Sequence, residues 1–300
     1  MLALEEPIAA RIESLLGDRL AAAHPVSGGY GSAQMWLATT RGGAAVFVKI
    51  GATPVSARFL RQEALVYERL RIPCMPEVHG WDGAWPPLLL LTDLSGGVWP
   101  PPWTSGMVGR ALQVIDAVHG ASAPLPKYAD VHDASEDWWD RLAAAPEAFL
   151  ALKLVSPRWF DRNVELLGSS ARTVTGAGSS VTHFDLRSDN FCFSRERTHL
   201  VDWSHACLGN ARLDLGLFLP GLNAEGGPPP EAVLPDDPAV ASWVAGFFAW
   251  HASKPHIPAA PGVRTMQRIH LGPALSWAAR ALSLEPFGAG DRPGATRGSG

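Results

Sequence analysis

A polar segment in the second half of the chain carries three side chains whose types and spacing suit phosphoryl transfer. Asp185 is followed five residues later by Asn190, and Asp202 stands twelve residues beyond Asn190, at the end of a short apolar strand. In kinase-type phosphoryl transfer, a carboxylate accepts the proton of the substrate hydroxyl, while an amide and a second carboxylate offer hard oxygen ligands to Mg²⁺. The spacing therefore predicts Asp185 as the base and Asn190 and Asp202 as magnesium ligands.

The first third of the chain offers the cation that this chemistry needs on the nucleotide phosphates. Lys49 ends an apolar strand, and Glu63 lies fourteen residues later on the following helix. A carboxylate at that place would hold the lysine extended. Upstream, glycines in a strand-to-strand turn would let backbone N–H groups approach the phosphates without a side-chain clash; they are Gly28, Gly29 and Gly31, beside Ser32.

Taken in chain order, these residues resemble the aminoglycoside phosphotransferase family, which comprises small-molecule kinases related to protein kinases. The resemblance covers most of the chain. It rests on the short stretches 46–49, 61–63, 89–93, 117–119, 183–190, 201–203 and 213–215. The family fold implies an α+β, protein-kinase-like bilobal protein with a small antiparallel-sheet N-lobe and a larger, mostly helical C-lobe.

The resemblance also implies the reactants. The family uses ATP, or sometimes GTP, with Mg²⁺ to phosphorylate hydroxyls of antibiotics and small metabolites. The resemblance implies that Asp185 is the catalytic base and that Asn190 and Asp202 are ligands of the metal ion. Thr92 lies in the stretch that matches the family's hinge, so it is the candidate nucleotide contact there.

Roles are also expected for three further residues near the catalytic loop. Asp214 matches a buried brace of the catalytic loop, and His183 is expected to stabilise the same loop through hydrogen bonds. Arg187 stands where protein kinases carry a lysine that contacts the transferred phosphate, so its guanidinium would offset developing charge. Two positions depart from the pattern, because Phe184 replaces a frequent glycine and Trp203 replaces the phenylalanine of a D-F-G motif.

The acceptor is expected to be small. Only eleven residues separate Asp202 from Asp214, which leaves no room for an activation loop and a peptide-docking platform. Between residues 128 and 170, eight acidic side chains stand against four basic ones, beside aromatic residues that are candidates for the acceptor pocket. An acidic, aromatic surface suits a polycationic or sugar-like acceptor. The candidate pocket residues are Trp138, Trp139 and Trp159.

Hydrophobic spacing and turn residues predict the elements that position these groups. An amphipathic helix near the amino terminus precedes two antiparallel strands at 35–38 and 45–50, a helix over 56–70 and an apolar strand at 88–91. Short strand-like pieces at 181, 192–193 and 199–201 bracket the polar segment. Further helices are predicted over 106–120, 135–152, 157–168, 212–222, 237–252 and 263–284.

The domain organisation follows from these elements. An N-lobe over 1–91 carries the glycine-rich turn and Lys49, and a hinge with consecutive prolines covers 92–102. A helical C-lobe over 103–287 carries the catalytic loop and the acceptor site, and 288–300 is expected to be a disordered tail.

Composition excludes several classes of protein. The 300 residues are 47% apolar with a net charge of −4, and no block of lysine and arginine offers the basic stripe that nucleic acid requires. Three cysteines without C-x-x-C spacing argue against a disulfide framework and a zinc site. No apolar run approaches the ~18 residues of a membrane span. A cytoplasmic location is expected, with the oligomeric state open.

Other functions remain open at this stage. The first acceptor considered is an aminoglycoside-like antibiotic; the same transfer to a metabolite hydroxyl, such as a sugar, a choline-like alcohol or an amino acid, fits the motifs equally. A catalytically silent nucleotide-binding regulator would have no physical need to keep Lys49, Glu63, Asp185, Asn190 and Asp202 together. A metal hydrolase built on His183 and Asp185 lacks a third ligand at a recognisable spacing.

Overall fold

A computed structural model describes residues 4–26, 28, 33–258 and 260–287. Within them the helices are α1 (Glu6–Leu16), α2 (Pro54–Arg69), α3 (Ser105–His119), α4 (Tyr128–Val131), α5 (Trp138–Ala144), α6 (Glu147–Leu150), α7 (Pro157–Ala171), α8 (Ala211–Ala224), α9 (Pro230–Val233), α10 (Pro238–Ala252) and α11 (Val263–Ala281). The strands are β1 (Leu20–Val26), β2 (Gln34–Thr40), β3 (Ala45–Ile50), β4 (Val78–Asp82), β5 (Leu88–Thr92), β6 (Ala177–Thr182), β7 (Phe191–Phe193), β8 (Thr198–Leu200) and β9 (Cys207–Gly209).

These elements divide into two compact units. The first unit contains the described residues within Met1–His132, Ala177–Phe218 and Pro258–Ala260, and the second contains those within Asp133–Gly176, Leu219–Ile257 and Pro261–Gly300. The predicted hinge, 92–102, lies within the first unit, and the predicted tail, 288–300, lies outside the described residues. Every predicted base, metal ligand and phosphate-binding lysine belongs to the first unit.

A five-stranded antiparallel sheet in the order β1-β2-β3-β5-β4 is the main layer of the first unit. The predicted β2–β3 hairpin and the predicted apolar strand β5 are confirmed. The edge strands β1 and β4 were not expected, because Pro25 interrupts the first and Gly80 the second. Proline and glycine weaken strand patterns and are tolerated best at sheet edges.

The two faces of this sheet have different partners. Val46, Val48 and Ile50 point to the face that packs against Ile8 and Ile12 of α1, where all five side chains are buried. Because successive side chains of a strand point to opposite faces, Lys49 leaves this hydrophobic core on the other side.

Helix α2 begins where the chain leaves β3. Its first turn is held by a capping box in which Thr53 Oγ1 accepts from the Ser56 N–H (3.1 Å) and Ser56 Oγ accepts from the Thr53 N–H (2.9 Å). Pro54 at the first helical positions has the backbone angle that a helix start requires. The helix therefore starts at a fixed place relative to Lys49, which determines where Glu63 falls.

The polar segment lies between short strands of the first unit. Strands β7 and β8 form one antiparallel pair, and β6 pairs with β9. Two single turns of 3₁₀-helix lie in this segment. Ser188–Asn190 follows Asp185, and Trp203–His205 follows Asp202 directly. The strand pieces predicted at 181, 192–193 and 199–201 are confirmed as β6, β7 and β8, whereas β9 was not predicted.

The second unit is helical. The prediction of one helix over 135–152 is wrong, because the chain forms α5 and α6 with a break at Ala145 and Pro146. Proline lacks the N–H that an uninterrupted helix would need there. The other predicted helices are present with shifted ends, and the α+β class is confirmed. No helix in the described part of the chain combines the length and apolar character that a membrane span requires.

Candidate active site

Lys49 lies between two carboxylates. Its Nζ is 2.6 Å from Glu63 Oε2 and 2.9 Å from Asp202 Oδ1. Burial favours the neutral amine, but Asp202 and Glu63 outweigh burial and raise the pKa of Lys49 above its ordinary value. Burial likewise opposes the charge on Asp202, yet Lys49 lowers the pKa of that carboxyl below its ordinary value. Lys49 and Asp202 therefore meet as charged groups, and the predicted Lys49–Glu63 ion pair is present.

Asp202 occupies a strained backbone position. Its φ of 65° lies in the left-handed region, which residues other than glycine adopt at a cost. Trp203 anchors the turn that follows, because its ring is fully buried and its Nε1–H donates to Leu200 O at 2.9 Å. The anchored turn holds the Asp202 carboxylate beside Lys49.

Asp214 braces the loop that carries Asp185. The Asp214 side chain is fully buried on the first turn of α8 and accepts from the backbone N–H groups of His183 (2.8 Å) and Phe184 (2.7 Å). His119 Nε2 lies 2.9 Å from the same carboxylate. His119 ends α3, and its ring reaches Asp214 across 95 residues of sequence.

His183 is held as a neutral ring. Its Nδ1 accepts from the Asp185 N–H at 3.3 Å, and its Nε2 lies 3.0 Å from Val201 O, which can only accept. Burial lowers the pKa of His183. The ring therefore connects the loop to Val201, the residue before Asp202, as a structural support would.

Asp185 is paired with Arg187. Arg187 Nη1 lies 2.7 Å from Asp185 Oδ1 and 2.8 Å from Oδ2, while its Nε lies 2.9 Å from Asp189 Oδ1. Burial raises the pKa of Asp185 to about 6, and Arg187 limits the shift. The pKa of Asp185 thus lies closer to neutral pH than that of an ordinary carboxyl group. Asp189 was not among the predicted site residues, and its place two residues after Arg187 was the available signal.

Asn190 faces Asp185 with its amide nitrogen. Nδ2 donates to Asp185 O at 2.7 Å and lies 3.3 Å from Asp185 Oδ2. The amide oxygen is consequently the group that Asn190 can offer to a cation.

These residues fit a magnesium–nucleotide complex. Mg²⁺ prefers oxygen ligands and usually takes one or two from protein and the rest from phosphates and water, a demand that Asp202 and Asn190 meet. Within the described ranges, no group of three or more His, Cys, Asp or Glu side chains could enclose a metal ion. The donor set therefore suits a hard cation shared with phosphate oxygens.

Only some of the remaining predicted nucleotide contacts lie among the described residues. Gly28 is exposed with a φ of 138°, a conformation that favours glycine, whereas Gly29, Gly31 and Ser32 lie outside the described residues. Thr92 ends β5, and its hydroxyl lies 3.2 Å from the Glu77 N–H nitrogen and from His79 Nε2.

The three tryptophans predicted for the acceptor pocket are buried in the second unit. Trp138, Trp139 and Trp159 expose 4%, 2% and 5% of their surface. Trp139 Nε1–H donates to Ser242 O at 2.8 Å, and the Trp138 ring packs edge-on against Trp243. Side chains packed in this way belong to the core of the unit, and their expected role in the acceptor pocket stays a prediction.

Several acidic side chains of the segment 128–170 have local partners. Its side chains in the second unit have these neighbours: Asp137 with Arg141 (2.6 Å), Asp140 and Glu165 with Arg172 (2.7 and 3.1 Å), Glu136 with the Gly176 N–H (2.7 Å) and Asp133 with the Ser135 N–H (3.0 Å). Ion pairs with Arg141 and Arg172 therefore offset part of the charge that suggested a polycation-binding surface.

Comparison with known proteins adds a family match. The model of the phosphotransferase enzyme family matches residues 22–256, well over half of the chain. Among curated proteins, no sequence matches.

Solved structures share the fold at low sequence identity. A thermostable mutant of aminoglycoside phosphotransferase APH(4)-Ia, in ternary complex with ADP and hygromycin B, superposes with a TM-score of 0.58 at 13% identity, covering 91% of this chain and 98% of that one. Spectinomycin phosphotransferase APH(9)-Ia, in complex with ADP and spectinomycin, gives 0.58 at 12% identity, with 92% and 99% covered. A candidate fructosamine-3-kinase from Thermobifida fusca gives 0.53 at 18%, with 90% and 98% covered. The predicted protein-kinase-like fold is confirmed.

Proposed function

The chain belongs to the phosphotransferase enzyme family, and we propose that this phosphotransferase moves the γ-phosphoryl group of ATP or GTP to a hydroxyl of a small molecule. One observation carries the proposal. Asp185, with a pKa of about 6, is hydrogen-bonded by Asn190, while Asp202 is ion-paired with Lys49 in the same unit. The groups proposed as base, metal ligands and phosphate-binding cation thus lie in one compact unit, and the charge of Asp202 acts on Asp185.

The donor nucleotide is held through its phosphates. Lys49 brings a positive charge to them, and Glu63 keeps that side chain extended. Asp202 and the amide oxygen of Asn190 would hold Mg²⁺, which when bound neutralises phosphate charge. The Asp202 carboxylate is partly exposed, so it would be accessible to the cation.

The chemical step uses Asp185. Its carboxylate accepts the proton of the acceptor hydroxyl as the hydroxyl oxygen forms a bond to the γ-phosphorus. The bond between the γ-phosphorus and the bridging oxygen breaks, and the nucleoside diphosphate leaves. Above pH 6 the carboxylate is largely ionised and can accept that proton.

Arg187 orients the base. Its guanidinium contacts both oxygens of Asp185 and also pairs with Asp189, so the carboxylate of Asp185 is fixed in one direction. The same positive charge, in contact with Asp185, would offset charge on the transferred phosphoryl group.

The acceptor class has two candidates. An aminoglycoside-like antibiotic is the first, supported by the names of the similar structures. A metabolite hydroxyl is the second, and the ion pairs of three acidic side chains with arginines support it, because they leave fewer free carboxylates for a polycation.

A screen with the full chain tests this function. Mg²⁺ with ATP, or with GTP, is incubated with a panel of aminoglycosides, sugars, choline-like alcohols and hydroxyl amino acids, and nucleoside diphosphate and phosphorylated product are measured. We expect product with at least one acceptor and none with Asp185→Asn. Nucleotide binding by thermal shift without product from any acceptor would support the silent regulator instead.

A further inference from the structure

Five rings of the first unit lie in one continuous row, which we call the ring row: Phe59, His205, His132, Phe184 and Tyr128. The Phe59 and His205 ring centres are 5.1 Å apart, and His205 stacks on His132 at 5.6 Å with planes 25° apart. His132 in turn stacks on Tyr128 at 4.9 Å and lies 5.1 Å from Phe184. His132 is therefore the central member, with three ring neighbours.

The ring row connects the segments that carry the site. Phe59 lies on α2 four residues before Glu63, so both side chains lie on one side of the helix. His205 follows Asp202 by three residues within the same turn, and Phe184 directly precedes Asp185. Each of these three rings thus belongs to the element that holds one of the site's carboxylates.

A hydrogen bond strengthens the central contact. His132 Nε2 lies 2.9 Å from His205 O, so the imidazole donates to the backbone of the turn after Asp202. Beside the rings, Gln62 Nε2 donates to Ala206 O at 3.2 Å and ties α2 to the same turn.

Phe184 contributes through an unusual backbone. Its φ of 53° is left-handed, and Asp214 holds its N–H at 2.7 Å. A glycine would adopt this conformation with less strain, but it would leave His132 and Tyr128 without the ring that joins them to the catalytic loop. The phenylalanine thus couples the loop to the ring row.

We propose that His132 is a positioning residue that, through the ring row, holds α2, the turn after Asp202 and the catalytic loop in the arrangement needed for phosphoryl transfer. The inference rests on the proposed function. His132 acts through the neighbouring rings and the His205 carbonyl, so it sets the geometry of Glu63, Asp202 and Asp185 without touching the reacting atoms. Small misplacements of such groups lower turnover strongly.

Steady-state kinetics on two variants test this role. His132→Ala removes the central ring and the hydrogen bond, and we expect kcat to fall about 10- to 100-fold while KM for the nucleotide changes less than about twofold. His132→Phe keeps a stacking ring and should recover kcat to within about threefold of wild type. A kcat for His132→Ala near wild type, or for His132→Phe as low as for His132→Ala, would overturn the proposal.

A control separates positioning from loss of stability. His270 on α11 packs edge-on against Phe248 in the second unit, so His270→Ala removes a half-buried imidazole of the same size. We expect this variant to lower the melting temperature while kcat stays near wild type. If kcat falls equally in both alanine variants, the effect of His132 is general destabilisation and the proposal is wrong.

Hydrogen exchange gives a readout that does not depend on turnover. In the full chain, peptides covering 54–69 and 203–206 should exchange faster in His132→Ala than in wild type and return towards wild type in His132→Phe. Unchanged exchange in both peptides would contradict the ring row's role. If wild type phosphorylates no acceptor, the proposed function fails, and this measurement still decides the inference.

A double-mutant cycle tests the ring row without changing His132, so its result stands even if the His132 variants do not fold. Phe59→Ala removes the end of the ring row without touching His132. Combined with Glu63→Gln, its effect on kcat should be less than additive, because both changes disturb the same carboxylate. Additive effects would show that the ring row does not act through α2.

Discussion

Lys49 on β3 and Glu63 on α2 form a buried ion pair with 2.6 Å between Nζ and Oε2. The pair joins the central strand of the sheet to the helix that follows it. Glu63 exposes only 1% of its surface, so its charge depends on Lys49 as a partner. The relationship follows from a fourteen-residue separation that a capped helix start keeps fixed.

The first prediction separates the charge of Lys49 from its orientation. Lys49→Met should lower kcat/KM about 10³-fold, because an uncharged chain of similar length cannot offset phosphate charge. Glu63→Gln should lower it about tenfold, since the lysine remains and only its orientation is disturbed. Steady-state kinetics with each nucleotide measures both. Equal losses in the two variants would contradict the division of roles.

The second prediction concerns Asp202 and magnesium. Mg²⁺–nucleotide at 100 times its Kd should stabilise wild type by about 2.7 kcal/mol, seen as a rise in melting temperature. Asp202→Ala should lose most of this stabilisation, because a metal ligand is missing. Nucleotide with EDTA is the control and should stabilise both proteins weakly. Undiminished stabilisation of the variant by Mg²⁺–nucleotide would remove Asp202 from the metal site.

The third prediction is a pH profile. Burial raises the pKa of Asp185 to about 6, and the base must be ionised to accept a proton. At saturating nucleotide, kcat/KM for the acceptor should therefore be level above pH 7 and fall about tenfold per pH unit well below pH 6. A rate that stays constant from pH 7 to pH 5 would show that the ionisation of Asp185 does not control transfer.

The fourth prediction concerns the brace of the catalytic loop. Asp214→Ala leaves two buried N–H groups and His119 without their acceptor, which should lower the free energy of unfolding by about 3 kcal/mol. Denaturant titration measures this change. Asp116→Ala on the exposed side of α3 is the matched control and should stay within about 0.5 kcal/mol of wild type. Similar losses in both variants would mean that Asp214 is no brace.

The spacing of residues along the chain was enough to predict contacts between consecutive elements of the site. Lys49 and Glu63 belong to consecutive elements, so strand alternation and helix periodicity were enough to bring them together. The side-chain contact between His119 and Asp214 joins residues 95 positions apart, and no local pattern encodes it. The burial of Trp138, Trp139 and Trp159 could not be predicted, because composition cannot distinguish a ring packed in a core from one that lines a pocket.

Direct detection of transfer, with and without the base, tests the central claim. The full chain and Asp185→Asn are each given Mg²⁺ and nucleotide labelled in the γ-phosphoryl group, with an acceptor identified by the screen, and labelled phosphomonoester is quantified. The account predicts labelled product from wild type and a rate at least about 10³-fold lower from the variant, although both bind nucleotide equally. Transfer by Asp185→Asn at the wild-type rate would contradict it.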